Sequence, residues 1–99
     1  MEYLEQKTFS IPPDELFYQL IELLKEKFEI KRIEESIRSV EISTGMSLFS
    51  FGESFEIVVS NFEQGSVVRI KGKSKIKWNI TNDAKEKISE IFELLDEQT

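Results

Sequence analysis

The feature that most restricts the fold of this 99-residue chain is a strict alternation of residue types between Val67 and Trp78. Cations occupy every second position, and small or apolar residues occupy the positions between them. The cations are Arg69, Lys71, Lys73, Lys75 and Lys77, and the others are Val68, Ile70, Gly72, Ser74, Ile76 and Trp78. Because successive side chains of a β-strand point to opposite faces, this segment predicts a long strand with one basic and one apolar face. A sheet of such strands needs a covering layer on its apolar face alone.

Two amphipathic segments predict helices that supply this layer. The first runs from Pro13 to Phe28, with proline at its first position and leucines at helical spacing: Leu16, Leu20, Leu23 and Leu24. The second runs from Asn82 to Asp96, and its apolar stripe is Ala84, Ile88, Ile91, Phe92 and Leu95.

The other segments predict further strands: one within Glu2 to Ile11, two short ones within Glu29 to Gly45, and one from Glu53 to Asn61. Ile30 and Ile33 differ in parity, which indicates either a bulge between them or one side chain outside the core. The order β-α-β-β-β-β-α predicts an α+β fold, a two-layer sandwich in a single domain spanning residues 1–99. Its sheet is mainly antiparallel, with four to five strands and both helices on one face.

The predicted core lies between the apolar sheet face and the two helices. A turn at Gln64-Gly65 would pair Glu56 with Lys73, Ser60 with Arg69 and Gly72 with Ile57. Glycine inside a strand indicates a close approach, so we expect a helix or an aromatic ring to cover Gly72. The predicted core residues are Leu20, Leu24, Phe28, Ile42, Phe55, Ile57, Val59, Val68, Ile70, Ile88, Ile91, Phe92 and Leu95.

Composition argues against most catalytic classes. The chain has no histidine and no cysteine, so nucleophile–histidine pairs, thiolate chemistry and disulfides are excluded. Its 19 acidic residues leave a carboxylate-based hydrolase conceivable, but most of them lie beside lysines on predicted surfaces. We therefore expect that the protein is not an enzyme and that it has no catalytic residue, no cofactor and no metal site. The sequence also has no transmembrane segment and no signal-peptide pattern, and we expect cytoplasmic residence.

The basic alternation is one candidate functional surface. The cations from Arg69 to Lys77 would stand about 6.6–7 Å apart on one sheet face, close to the spacing of phosphates along a nucleic-acid strand. This spacing suggests contact with nucleic acid or anionic lipid. The alternative is that glutamates such as Glu56 and Glu41 on neighbouring strands neutralise the strip. Net charge −6 and the lack of aromatic residues among the lysines disfavour nucleic acid.

A second candidate surface is the apolar run bracketed by Gly45 and Gly52, whose large side chains are Met46, Leu48, Phe49 and Phe51. These residues either fill a gap between helix and sheet or form an exposed lip that contacts a partner protein or an apolar ligand. The sequence Ser47-Leu48-Phe49-Ser50-Phe51-Gly52-Glu53 resembles a family of small uncharacterised bacterial domains that carry Ser-Leu-x-Ser-Trp-Gly-Glu between two strands. This resemblance covers both helices and implies no activity.

The element order also resembles, more distantly, that of helix-grip lipid-binding domains, which are longer; the shorter length implies a smaller cavity. Taken together, these patterns predict a small non-catalytic interaction or ligand-binding domain. Its expected partner is an unknown protein or a small apolar ligand. The alternative is a binder of nucleic acid or anionic lipid that uses the strand from Arg69 to Lys77.

Overall fold

A computed structural model describes residues 2–43, 53–74 and 82–98, and it has the predicted α+β architecture. Five strands and two helices follow one another in the predicted order, with one turn of 3₁₀ helix between β2 and β3. The elements are β1 (Glu2–Phe9), α1 (Pro13–Lys27), β2 (Glu29–Glu34), the 3₁₀ turn (Glu35–Ile37), β3 (Ser39–Ser43), β4 (Glu53–Phe62), β5 (Gly65–Ser74) and α2 (Asn82–Gln98). The predicted end of the last strand, Lys75 to Trp78, lies outside the described residues.

Helix α1 begins and ends where its sequence favours helix boundaries. Leu16 donates its backbone N–H to the carbonyl of Pro12 across 3.0 Å, and Asp14 and Glu15 lie in the first turn, where the helix dipole favours anions. At the other end, Phe28 donates to Leu24 across 2.9 Å and adopts an extended conformation that starts β2.

The five strands form one antiparallel sheet in the order β1-β5-β4-β3-β2. The four later strands pair in sequence order and so form an antiparallel meander. The N-terminal strand β1 joins β5, so β1 and β2 are the two edges of the sheet.

A bulge in β2 explains how two isoleucines three residues apart can face the same side of the sheet. The register shifts between Ile30 and Arg32, and Ile30 lies opposite Ile42 while Ile33 lies opposite Val40. Since Ile42 and Val40 are buried on the helix side of the sheet, the bulge places both isoleucines on that side. Both predicted alternatives therefore hold, because a bulge separates the two isoleucines and Ile33, which is 40% exposed, lies outside the core.

The predicted register of the β4–β5 hairpin was wrong by two residues. Phe62 pairs with Gly65, so the turn is Glu63-Gln64 and not Gln64-Gly65. A shift of two residues preserves which side chains face the core, so alternation alone does not distinguish the two registers. Gly65 instead serves close packing against β1, because an added Cβ would overlap the carbonyl oxygen of Phe9.

The shift changes the predicted cross-strand partners as well. Lys71 lies opposite Glu56, Lys73 opposite Ser54, and Arg69 opposite Val58. The predicted Glu56–Lys73 and Ser60–Arg69 pairs are therefore absent from the ladder.

Both helices pack on one face of the sheet and share one hydrophobic core with it. All predicted core residues are buried except Phe28, which is half-buried at the end of α1, where the chain turns into the edge strand. The core also contains residues outside the predicted set, namely Phe9, Leu16, Phe17, Leu23 and Val40.

Gly72 is covered as predicted, although its partner across the hairpin is Phe55 and not Ile57. A Cβ at this position would lie 3.2 Å from Cε1 of Phe55 and 3.9 Å from Cδ1 of Ile88 on α2. Both an aromatic ring and a helix therefore close over the glycine. Neither of the two described helices is long and apolar enough to cross a membrane.

Candidate functional site

A half-open groove of about 430 Å³ lies between helix α1 and the edge of the sheet formed by β2 and the 3₁₀ turn. Six of its lining residues come from α1, one from β2 and one from the 3₁₀ turn. They are Asp14, Phe17, Tyr18, Ile21, Glu22, Lys25, Ile33 and Glu35. Binding sites for small molecules commonly have volumes of about 300–1,000 Å³, so the groove has the size for a small ligand.

The apolar floor of the groove follows from the local structure of α1 and β2. Phe17 and Ile21 lie one turn apart on α1, at the side of the helix that faces β2. The bulge turns Ile33 toward the helix side, where its side chain is still 40% exposed. An apolar side chain that faces a groove and keeps this exposure is available to a ligand.

Charged side chains form the rim of the groove, and most of them are paired. Asp14 accepts a hydrogen bond of 2.7 Å from Nε of Arg38, and Lys25 Nζ lies 3.1 Å from Glu22. Tyr18 is 68% exposed, and its hydroxyl donates to Oε1 of Glu22 over 3.4 Å. The rim therefore combines carboxylates with an exposed aromatic ring.

Arg38 holds one end of the groove in place. Its backbone is left-handed, with φ of 51°, and its N–H donates to the carbonyl of Glu35 across 3.1 Å. Its own carbonyl accepts from the N–H of Val59 across 2.9 Å. Because its guanidinium also reaches Asp14, this residue connects the 3₁₀ turn, β4 and the start of α1.

The structure places part of the basic alternation on the sheet face opposite the helices. Arg69 is exposed there and donates from Nε to Oε1 of Gln6 across 3.1 Å. Lys71 lies between Leu4 of β1 and Glu56 of β4. Lys73 belongs to the same strand, while Lys75 and Lys77 lie outside the described residues.

The glutamates expected beside these cations occur on the same sheet face. Glu56 faces Lys71, and Glu41 follows Glu56 on β3, where it also accepts a hydrogen bond of 3.3 Å from Ser54. Arg32 follows Glu41 on β2. This row across the sheet therefore carries two adjacent glutamates, Glu56 and Glu41, with a cation on either side of them.

The apolar run of Met46, Leu48, Phe49 and Phe51 lies outside the described residues, as does the motif from Ser47 to Gly52. Its role as a partner contact and the family resemblance carried by that motif stay predictions. Within the described ranges, no group of three or more acidic side chains is arranged to hold a metal ion.

Reasoning from sequence missed the groove. Phe17 and Ile21 only broaden the leucine stripe of α1, and nothing in their spacing indicates that the helix leaves space beside β2. Two signals could have pointed there. Tyr18 is an aromatic residue beside the leucine stripe, and Ile33 is an apolar residue on a short strand after a bulge.

No protein-family model matches the sequence, and a search of curated proteins finds no match. Solved structures do match. Ara h 8.0201 has a TM-score of 0.72 at 15% identity, with 99% of this chain and 96% of that chain covered. CalU16 from Micromonospora echinospora has a TM-score of 0.68 at 11% identity, with 95% and 74% covered. The Zhui aromatase/cyclase from Streptomyces sp. R1128 has a TM-score of 0.54 at 10% identity, with 99% and 85% covered. At these identities the likeness shows the fold alone.

Proposed function

We propose that this chain is a small non-catalytic domain that binds a small, largely apolar ligand in the groove between α1 and β2. The observation that carries the proposal is the groove itself, with Phe17, Ile21 and Ile33 as an apolar floor on two rigid elements. A ligand seated there removes the partly exposed Ile33 from water, which is the main source of affinity in such sites.

The structural neighbours support the proposal at the level of the fold. One of them is an aromatase/cyclase, and at 10% identity its reaction does not carry over to this chain. The absence of histidine and cysteine from the sequence removes the commonest general base and the thiol nucleophile. Binding without turnover is therefore the simpler function for these residues.

The direct test is an NMR titration of the ¹⁵N-labelled protein with n-octanol, a neutral molecule with an apolar chain. We expect saturable shifts at the amides of Phe17, Ile21 and Ile33, and octanol recovered unchanged by mass spectrometry. Ile33→Asp should abolish these shifts, because a carboxylate in the apolar floor must be desolvated by the ligand.

Ile37→Asp is the matched control. Ile37 is an apolar residue of the neighbouring 3₁₀ turn that is 56% exposed and does not line the groove. Octanol shifts that survive Ile33→Asp, or that map to the sheet face opposite the helices, would contradict the proposal. Conversion of the ligand would contradict its non-catalytic part.

The alternative function is anion binding through the strand from Arg69 to Lys77. One observation favours it: Arg69 and Lys71 lie on the sheet face that the helices leave uncovered. Fluorescence anisotropy with mixed oligonucleotides, and flotation with anionic vesicles, should then show salt-dependent binding that Arg69→Gln weakens. We expect little binding, because Glu56 beside Lys71 and the net charge of −6 oppose anions.

A further inference from the structure

We infer that the ligand of the α1–β2 groove is an amphipathic cation, that is, an ammonium group on a linear apolar body. This inference rests on the proposed function, since it names the chemical class that the same groove would take. Three features of the groove carry it: the charges of the rim, the exposed ring of Tyr18, and the length of the apolar floor.

The rim carries more negative than positive charge. Three carboxylates line the groove, Asp14, Glu22 and Glu35, against the single ammonium of Lys25. Arg38, just outside the lining, is bound to Asp14, and Lys25 is bound to Glu22. Among the described residues Glu35 has no ion pair, so its charge is available to a ligand.

An anionic ligand would meet the opposite situation. The two cations near the groove, Arg38 and Lys25, already hold carboxylates at 2.7 and 3.1 Å. An anionic ligand would have to displace Asp14 or Glu22 from its cation. Otherwise it would lie close to all three carboxylates of the lining without a free cation to bind. The chain as a whole carries a net charge of −6, which also repels anions and attracts cations.

The ring of Tyr18 gives a cation a second favourable contact. It is 68% exposed and lines the groove one turn from Glu22 on α1. An ammonium over an aromatic face is attracted by the ring quadrupole, and a neutral ligand of the same shape gains nothing comparable. An exposed ring that lines the same groove as the unpaired carboxylate of Glu35 therefore favours cations over neutral molecules.

The shape of the groove favours a linear molecule. From Asp14 to Lys25 the lining follows α1 for about 16 Å, at a rise of 1.5 Å per residue. Glu35 and Asp14 lie at one end, connected through Arg38, while the floor of Phe17, Ile21 and Ile33 faces the body of the ligand. An ammonium at the Glu35 end leaves the apolar chain over this floor.

The test compares three probes of equal chain length: n-octylammonium, n-octanol and octanoate, each titrated into the wild-type protein and followed at the groove amides. We expect octylammonium to bind roughly threefold to tenfold more tightly than octanol, and octanoate to bind more weakly than both. Added salt should reduce the difference between the cation and the alcohol, since the rim is exposed.

Glu35→Gln should remove most of the preference for the cation while the affinity for octanol stays unchanged. The matched control is Glu90→Gln, because Glu90 is an exposed glutamate of α2 that does not line the groove. A preference that persists in Glu35→Gln, or that Glu90→Gln removes equally, overturns the assignment of Glu35.

The outcomes separate the two proposals. Equal affinity for octanol and octylammonium, or tighter binding of octanoate, overturns the cation inference and leaves the groove as a ligand site. Failure of all three probes to shift the groove amides overturns the proposed function as well. Groove shifts that follow protein concentration without any probe would mean that a second copy of the chain covers the groove, which contradicts both.

Discussion

Replacing Gly72 by valine tests how tightly α2 and the aromatic core close over the sheet. The new Cβ would lie 3.2 and 3.3 Å from two carbons of the Phe55 ring, whereas carbon atoms pack best at about 3.5–4.0 Å. Phe55 is fully buried, so its ring has to move against neighbours that are themselves buried. Overpacking of this kind typically costs about 1–3 kcal/mol.

A smaller term acts in the opposite direction. Replacing glycine lowers the entropy of the unfolded chain, which stabilises the fold by about 0.5–1 kcal/mol where the backbone conformation is compatible. We expect a net loss of about 1–2 kcal/mol for Gly72→Val, in the upper part of the range that the two terms allow, since valine adds two methyl groups beyond the crowded Cβ. Gly72→Ala should lose less than Gly72→Val.

Urea denaturation followed by far-UV circular dichroism measures the free energy of unfolding, with an unchanged m-value as the check on two-state behaviour. Ser60→Val on the outward face of β4 is the control for strand propensity without a ring in the way. Phe55→Leu should reduce the cost of Gly72→Val by about 1 kcal/mol, because the two sites are in contact. A Gly72→Val protein as stable as the wild type, or a cost unaltered by Phe55→Leu, would refute the packing argument.

Three further predictions concern stability and the apolar run. Phe92→Ala on α2 should cost about 3–5 kcal/mol, because Phe92 is 8% exposed; a loss below about 1 kcal/mol in the same urea assay would contradict the docking of α2. Arg38→Ala should cost about 0.5–1 kcal/mol through loss of the pair with Asp14. Arg38→Gly should cost less than Arg38→Ala, because glycine relieves the positive φ, and equal costs would show that φ is unimportant there. Amide hydrogen exchange at Ser47–Phe51 should show little protection in the dilute monomer if this run contacts a partner, and strong protection would place it in the core.

The strands and helices were predictable because each carries one periodicity over enough residues. The alternation from Val68 to Gly72 and the leucine spacing of α1 each define one buried face, and the structure buries those faces. The hairpin register was not predictable, since moving the turn from Gln64-Gly65 to Glu63-Gln64 keeps every side chain on its face. In the observed register Gly65 lies close to the carbonyl of Phe9, a contact with the far end of the chain that no local pattern indicates.

The groove between α1 and β2 could not be predicted from the sequence for a related reason. Periodicity reports which side of α1 is apolar, but the space between α1 and β2 depends on the angle and distance at which the helix lies on the sheet. That placement depends on packing against β4, β5 and α2 together. The hydrogen-bonded connection from Glu35 through Arg38 to Asp14 is a long-range contact that no local pattern indicates.

The position of β1 at the edge beside β5 has a consequence for the order of folding. Strands β2 to β5 each pair with the strand that precedes or follows them in the sequence. Strand β1 instead pairs with β5, the last of the five strands to be synthesised, from Glu2 opposite Lys73 to Phe9 opposite Ser66. During synthesis β1 therefore has no partner until β5 has emerged, and the loop it closes is the most costly in chain entropy. We expect the β2–β5 meander to form the transition state and β1 to join it afterwards. Substitutions in β1 should then accelerate unfolding much more than they slow folding.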